Sequence, residues 1–151
     1  MKRLLIVYHS QTGRTADLVA AAAQGARTEA DIEVAVLRAG DATLTDLLQC
    51  HALLLGTPEN FGYMSGMLKD FFDRTYEDAR GHVDHRPYAI LVSAGNDGTG
   101  AVREIERIAR GYGFKPVAPP LIHVGEVTSE ARSASHELGA TVAAGLALGI
   151  F

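Results

Sequence analysis

The chain has 151 residues and a formal net charge of −4, from 14 Lys and Arg against 18 Asp and Glu. That length suits one domain with a substantial core, and the mild acidity, mixed along the chain, excludes a broad basic surface for nucleic acid or a polybasic membrane patch. Cys50 is the only cysteine, so no internal disulfide can form, which suits a reducing compartment. The apolar run Leu4 to Tyr8 after the basic start Met1-Lys2-Arg3 is too short for a secretory signal, and no stretch approaches a bilayer span. The expectation is a single cytoplasmic domain over residues 1–151, with no nucleic-acid or membrane partner.

Short apolar runs alternate with amphipathic stretches, which predicts a parallel α/β sheet. Leu4 to Tyr8 reads as a buried strand. A polar loop follows, then a helix with Leu18, Val19, Ala22, Ala23 and Ala26 on one face. Ile32 to Leu37 alternates like a half-exposed edge strand. Thr43 to Leu48 reads as a short helix, with Thr43 and Asp46 spaced as a capping box. Ala52 to Gly56 is a second buried strand. Met64, Met67, Leu68, Phe71, Phe72 and Thr75 then mark the cleanest amphipathic helix.

Tyr88 to Val92 reads as a third buried strand. Val102, Ile105, Ile108 and Ala109 define the next helix, closed by Gly111 or Gly113. Lys115 to Val124 is extended but carries Pro116, Pro119 and Pro120, so it belongs at a sheet edge. A last helix runs from about Ser129 towards Leu148. The second and fifth strands look like edges, and the first, third and fourth look buried. A doubly wound sheet of order 2-1-3-4-5 places them so, and ligands of such sheets bind beyond the carboxyl ends of the strands.

Three loops lie there. His9-Ser10-Gln11-Thr12-Gly13-Arg14-Thr15 sets three hydroxyls, a glycine and a cation before a helix start. Free helix amides and hydroxyls suit an anion, although the same residues also serve as ordinary helix caps. Arg14 could pair with that anion or point to solvent. Gly56-Thr57-Pro58-Glu59-Asn60-Phe61-Gly62-Tyr63-Met64-Ser65-Gly66 offers glycines, two aromatics and a proline to a flat ligand. Ser93-Ala94-Gly95-Asn96-Asp97-Gly98-Thr99-Gly100 has glycines spaced GxxGxG, which is not the dinucleotide fingerprint.

Ser10-Gln11-Thr12-Gly13-Arg14-Thr15 resembles the flavodoxin phosphate loop, [ST]-x-T-G-x-T. Gly56-Thr57-Pro58, Phe61-Gly62, Met64-Ser65-Gly66 and Lys69 to Asp73 resemble the flavin-ring loop and following helix of NAD(P)H:quinone oxidoreductases of the WrbA type. Ser93-Ala94-Gly95 is similar to the third flavin-flanking loop of that family. The resemblance implies a flavodoxin-like, three-layer α/β domain with a doubly wound five-stranded parallel sheet.

It also implies FMN as cofactor. Ser10, Thr12, Gly13 and Thr15 would hold its phosphate, with Gln11 and Arg14 contributing amides. Pro58, Glu59, Asn60, Phe61 and Gly62 would line one side of the isoalloxazine, and Ser93, Ala94, Gly95, Asn96, Asp97 and Gly98 its pyrimidine and ribityl side. A carboxylate at Glu59 beside the ring would lower its potential, and backbone amides near Gly95 to Gly98 would favour negative charge on it.

Electron-carrier flavodoxins are more acidic and commonly stack Trp on the ring, whereas this chain has no Trp. The leading expectation is therefore an FMN-dependent oxidoreductase with NAD(P)H as substrate and a quinone or similar small molecule as acceptor. A flavodoxin-type electron carrier with a protein redox partner is the alternative, and a homodimer is left open. His82, His85 and Tyr112 are candidates for proton donation near the ring. His82, Asp84 and His85 more readily form a solvated loop than a metal site, so no metal is expected. Cys50 lies outside the first loop, which argues against a low-molecular-weight phosphatase. The lack of acidic residues after the first strand argues against a receiver domain, and the lack of GxxxxGK[ST] against a P-loop NTPase.

Overall fold

A computed structural model describes all residues from Met1 to Phe151. The sheet has the expected order. Strand β1 (Lys2–Tyr8) pairs in parallel with β2 (Ile32–Arg38) on one side and β3 (Ala52–Pro58) on the other. β3 pairs with β4 (Pro87–Ala94), and β4 carries the far edge. That edge is two pieces, β5 (Lys115–Pro116) and β6 (Leu121–Val124), both parallel to β4. The expected single fifth strand is thus broken over residues 117–120. Pro119 and Pro120 fall in the break and carry no amide hydrogen for the ladder.

Successive residues of each strand face opposite layers. Leu4, Ile6, Leu54 and Leu91 meet α1 (Arg14–Ala26) and α5 (Ser129–Leu148) on one side. Leu5, Val7, Leu53, Leu55 and Val92 meet α2 (Leu44–Gln49), α3 (Gly66–Ala79) and α4 (Thr99–Tyr112) on the other. The strands β1, β3 and β4 are buried through their centres, while β2 is half-exposed, as their composition predicts. On the first side α1 and α5 approach so closely that a Cβ at Gly25 would strike the His136 carbonyl, and one at Gly139 the Ala22 carbonyl.

Helix starts follow the sequence closely. Thr43 and Asp46 form the expected capping box on α2. Ser65 caps α3, accepting from the Leu68 amide. One residue of the expected α3 stripe departs from it: Met67, in the first turn, is exposed, while Met64 enters the core from the turn before the helix. α4 closes at Gly113, in the left-handed region. No helix is long and apolar enough to cross a membrane.

Candidate functional site

The loops after β1, β3 and β4 converge at the carboxyl edge of the sheet. Gln11, Thr12 and Arg14, then Pro58, Glu59 and Asn60, then Ser93, Ala94 and Gly95, line one cleft of about 160 Å³. Nine expected site residues from three loops therefore meet in one place, where the strand order reverses.

The first loop ends at Gly13, whose φ of 99° and ψ of −14° belong to the left-handed region. From there α1 begins. Its first-turn amides have no partner inside the helix. The Ser10 hydroxyl accepts from the Ala16 amide at 3.1 Å, which leaves those of Arg14 and Thr15 for a ligand. Thr15 is buried, and its hydroxyl shares a proton with that of Ser93 at 2.6 Å, tying the first loop to the third. Two hydroxyls own two protons, so one remains to donate to a ligand oxygen.

The second loop is a tight hairpin. Asn60 and Tyr63 exchange backbone hydrogen bonds at 2.9 and 3.0 Å. Phe61 and Gly62 between them both have positive φ, 53° and 72°. The Phe61 ring is fully exposed at the tip, an arrangement that a large apolar residue rarely adopts without a use. At the base of the loop the Thr57 hydroxyl accepts from the Ser65 amide at 2.9 Å, fixing the loop to the start of α3.

The third loop reaches α4 through Gly98, with φ of 95° and ψ of −17°. Glu59 lines the cleft, as expected, while its carboxylate is engaged within the protein. Oε1 accepts from the Gly98 amide at 2.8 Å and Oε2 from the Ala101 amide at 3.1 Å. The Gly98 amide is consequently taken within the protein. Gly95, Asn96 and Asp97 are exposed, and Asp97 accepts from the Thr99 hydroxyl at 2.6 Å.

Arg14 adopts the alternative left open for it. Its guanidinium donates to Glu126 at 2.7 Å, at the surface. Arg132 chelates Asp17 through two bonds of 3.0 Å, and this holds the Asp17 carboxyl below the usual carboxylate range. With Thr12 and Gly13 these four side chains surround a shallow hollow of about 290 Å³ beside the first loop. Glu126 and Arg132 were not anticipated: they lie more than 100 residues from their partners, and no local spacing signals them.

His82, His85 and Tyr112 are not at the site. The first two are exposed in the segment before β4, and Tyr112 ends α4, so all three lie at the amino edge of the sheet. In a parallel sheet the segment leading into a strand and the loop leaving it stand a whole strand length apart. Tyr112 is buried; its hydroxyl donates to the Phe72 carbonyl and meets the Thr75 hydroxyl, both at 2.8 Å. Burial pushes its pKa up to about 12. The roomiest concavity, about 590 Å³, lies between α3 and α4, floored by Phe72, Tyr76 and Tyr112. Its lining comes from α3, α4 and Tyr63, and none of the strand ends of the smaller cleft contributes to it. No group of three or more His, Cys, Asp or Glu residues is gathered to hold a metal ion.

A family model described as "NADPH-dependent FMN reductase" matches residues 41–129, more than half of the chain. The chain belongs to this family. The match takes in the second and third loops of the cleft, while the first loop lies outside it. A flavodoxin of Aquifex aeolicus is 32% identical over 117 residues, covering 76% of this chain and 63% of its own length. A protein of Acidithiobacillus ferrooxidans named NAD(P)H dehydrogenase (quinone) is 33% identical over 95 residues, 50% of this chain and 48% of that one. The chain thus spans about half to under two thirds of the length of these curated relatives.

Among solved structures, a flavodoxin from an archaeon superposes with a TM-score of 0.84 at 22% identity, covering 94% of this chain and 96% of that one. A WrbA-like flavodoxin from Agrobacterium tumefaciens gives 0.79 at 19%, covering 95% and 96%. At these identities the superpositions establish the flavodoxin-like fold. The sequence-based recognition of a flavodoxin-like, FMN-binding chain near the WrbA and FMN reductase branch holds.

Proposed function

We propose that this chain is an FMN-dependent NAD(P)H oxidoreductase that passes electrons to a quinone or a similar small acceptor. One observation carries the cofactor's placement. Two helices begin at the carboxyl edge from a left-handed glycine, and the protein's own carboxylate fills only the second, α4. At α1 only the Ser10 hydroxyl accepts from a first-turn amide, and the one carboxylate of that turn, Asp17, is held by Arg132, which leaves the Arg14 and Thr15 amides free for a ligand's phosphate.

In this reading the amides of Arg14 and Thr15, with the hydroxyls of Ser10, Thr12 and Thr15, hold the phosphate, and Gly13 admits it. Gln11 adds its amide. Pro58, Asn60, Phe61 and Gly62 flank one side of the ring; Ser93, Ala94, Gly95, Asn96 and Asp97 flank the other. Gly98 and Glu59 shape the wall instead of touching the ring. When bound, FMN supplies the hydride and electron chemistry. In this reading one ring edge stays open at the cleft mouth to a second flat molecule. Phe61, exposed at the hairpin tip, offers that molecule an aromatic face.

The match to a flavodoxin over 76% of the chain favours a second reading, an electron carrier served by a partner reductase. A single experiment separates the two. The purified protein is mixed with FMN, then with NADPH and a soluble quinone. Quenched FMN fluorescence followed by rapid bleaching with NADPH alone supports the reductase. Bleaching only when a reductase is added supports the carrier. Unquenched FMN ends both readings.

A further inference from the structure

Glu59 belongs to the second loop, yet three of its hydrogen bonds reach the third. Its amide donates to the Ser93 carbonyl at 2.8 Å. Its carboxylate takes the Gly98 and Ala101 amides. The third loop is therefore held by one residue at both ends, where β4 stops and where α4 starts. Gly95, Asn96 and Asp97 between the anchors are exposed. A short loop with few contacts of its own takes its shape from its anchors.

The second loop depends on the same device. A Cβ at Gly100 would strike the Gly62 carbonyl, so the Asn60–Tyr63 hairpin rests directly on the first turn of α4. Glu59 draws that turn against the loop. The carboxylate sits where the positive end of α4 would otherwise face the cleft, and charge-assisted bonds to helix amides are among the stronger ones available. The phosphate side is tied to the end of β4 by the Thr15–Ser93 hydroxyl pair, in which the Glu59 carboxylate takes no part.

We propose that Glu59 is a positioning residue for the ring half of the cleft: it shapes both ring-flanking loops and neutralises the start of α4, while leaving the phosphate half to its own supports. The inference rests on the FMN reading above. It divides the site into two halves that can be weakened independently.

The test is to titrate the wild type, Glu59→Gln and Glu59→Ala with FMN and with riboflavin, which lacks the phosphate, following flavin fluorescence. Glu59→Ala weakens both ligands by the same factor, about ten-fold, so the ratio of their affinities is unchanged. Glu59→Gln, nearly isosteric, keeps the fold and one acceptor oxygen, weakens binding less, and shifts the potential of the bound flavin to a less negative value. A purely structural role would lower the unfolding temperature of the apoprotein without moving that potential. Wild-type affinities in Glu59→Ala, a loss confined to FMN, or an unmoved potential in Glu59→Gln each overturn the proposal. Should Glu59→Ala fail to fold, Glu59→Gln decides alone.

If the wild type binds neither flavin, the FMN reading falls, and the clamp is still read in the apoprotein. Amide exchange at Gly98 and Ala101 then accelerates in Glu59→Gln if the clamp exists; unchanged exchange overturns it.

Discussion

Helices α1 and α4 begin alike and end up serving different purposes. Each follows a strand of the central sheet, and each is entered through a glycine of nearly equal backbone angles, 99° and −14° against 95° and −17°. The difference lies in what accepts from the free amides: at α1 a neutral hydroxyl, with the turn's own Asp17 turned to Arg132, and at α4 a carboxylate from another loop. A helix start that already holds a carboxylate repels a phosphate, and one that holds a hydroxyl invites it. The assignment of the phosphate to the first loop therefore rests on α4 as much as on α1.

The sharpest way to break the symmetry is to replace each glycine by alanine. At Gly13 nothing lies within 4 Å of the added Cβ, so only the left-handed conformation is penalised, by about 1–2 kcal/mol. At Gly98 the Cβ also falls 2.5 Å from Ile122 Cγ2, on β6. Overpacking adds roughly 1–3 kcal/mol to the same conformational strain. Thermal unfolding of the two apoproteins should thus show the larger drop for Gly98→Ala. Equal drops would mean that β6 yields without resistance.

That asymmetry was only partly legible in the sequence. The strand order, the capping box at Thr43 and the three loops followed from apolar runs, proline positions and cap chemistry, which are local signals. Cleft residues Thr12, Pro58 and Ser93 were found because strand ends in a parallel sheet must converge. The role of Glu59 was not, since its partners Gly98 and Ala101 lie about 40 residues away and are backbone groups without identity. The distance of three other candidates from the cleft has an equally physical cause. His82, His85 and Tyr112 were chosen for their chemistry, and only the direction of β4 reveals that they stand at the opposite edge. The break in the fifth strand was visible as prolines, but its pairing in two pieces depends on where β4 offers acceptors.

A second prediction separates bracing from binding within the first loop. Ser93→Ala leaves Thr15 without its 2.6 Å partner and removes one of two hydroxyl protons. FMN affinity should fall about five- to ten-fold, in line with a lost hydrogen bond near 1 kcal/mol plus looser loops. Thr15→Val should lose at least as much. The double variant should lose less than the sum, because the two side chains share one interaction. Strict additivity, measured by FMN fluorescence, would show that the pair does not act as a unit.

The opposite edge of the sheet supplies the control. Tyr112→Phe removes a buried hydroxyl with two partners, and stability should fall by about 1–2 kcal/mol. FMN affinity should not change. In the wild type the tyrosine loses its proton near pH 10 when unfolded but only at about 12 when folded, so its contribution is present below pH 10 and lost as pH rises from there to 12. The variant should lack that part of the alkaline decline. A drop in FMN affinity would join the two edges and undo the separation.

The smallest effect concerns His9, which opens the first loop. Burial, and then the neighbouring Arg38 cation, lower its pKa below 6.5. The unfolded chain therefore binds a proton at a higher pH than the native state does. Stability is fully present above 6.5, falls as pH drops from 6.5 towards the lowered value, and levels off beneath it. His51, at the amino edge, is lowered in the same direction by burial and by Arg86. Both edges thus contribute to one acid-side decline, and His9→Gln should remove only the part that belongs to the first loop. Urea midpoints at pH 7.5, 6.5 and 5.5 measure it. If the wild type and His9→Gln decline in parallel, the histidine that opens the first loop titrates as it would in water, and the strand end before α1 is open to solvent.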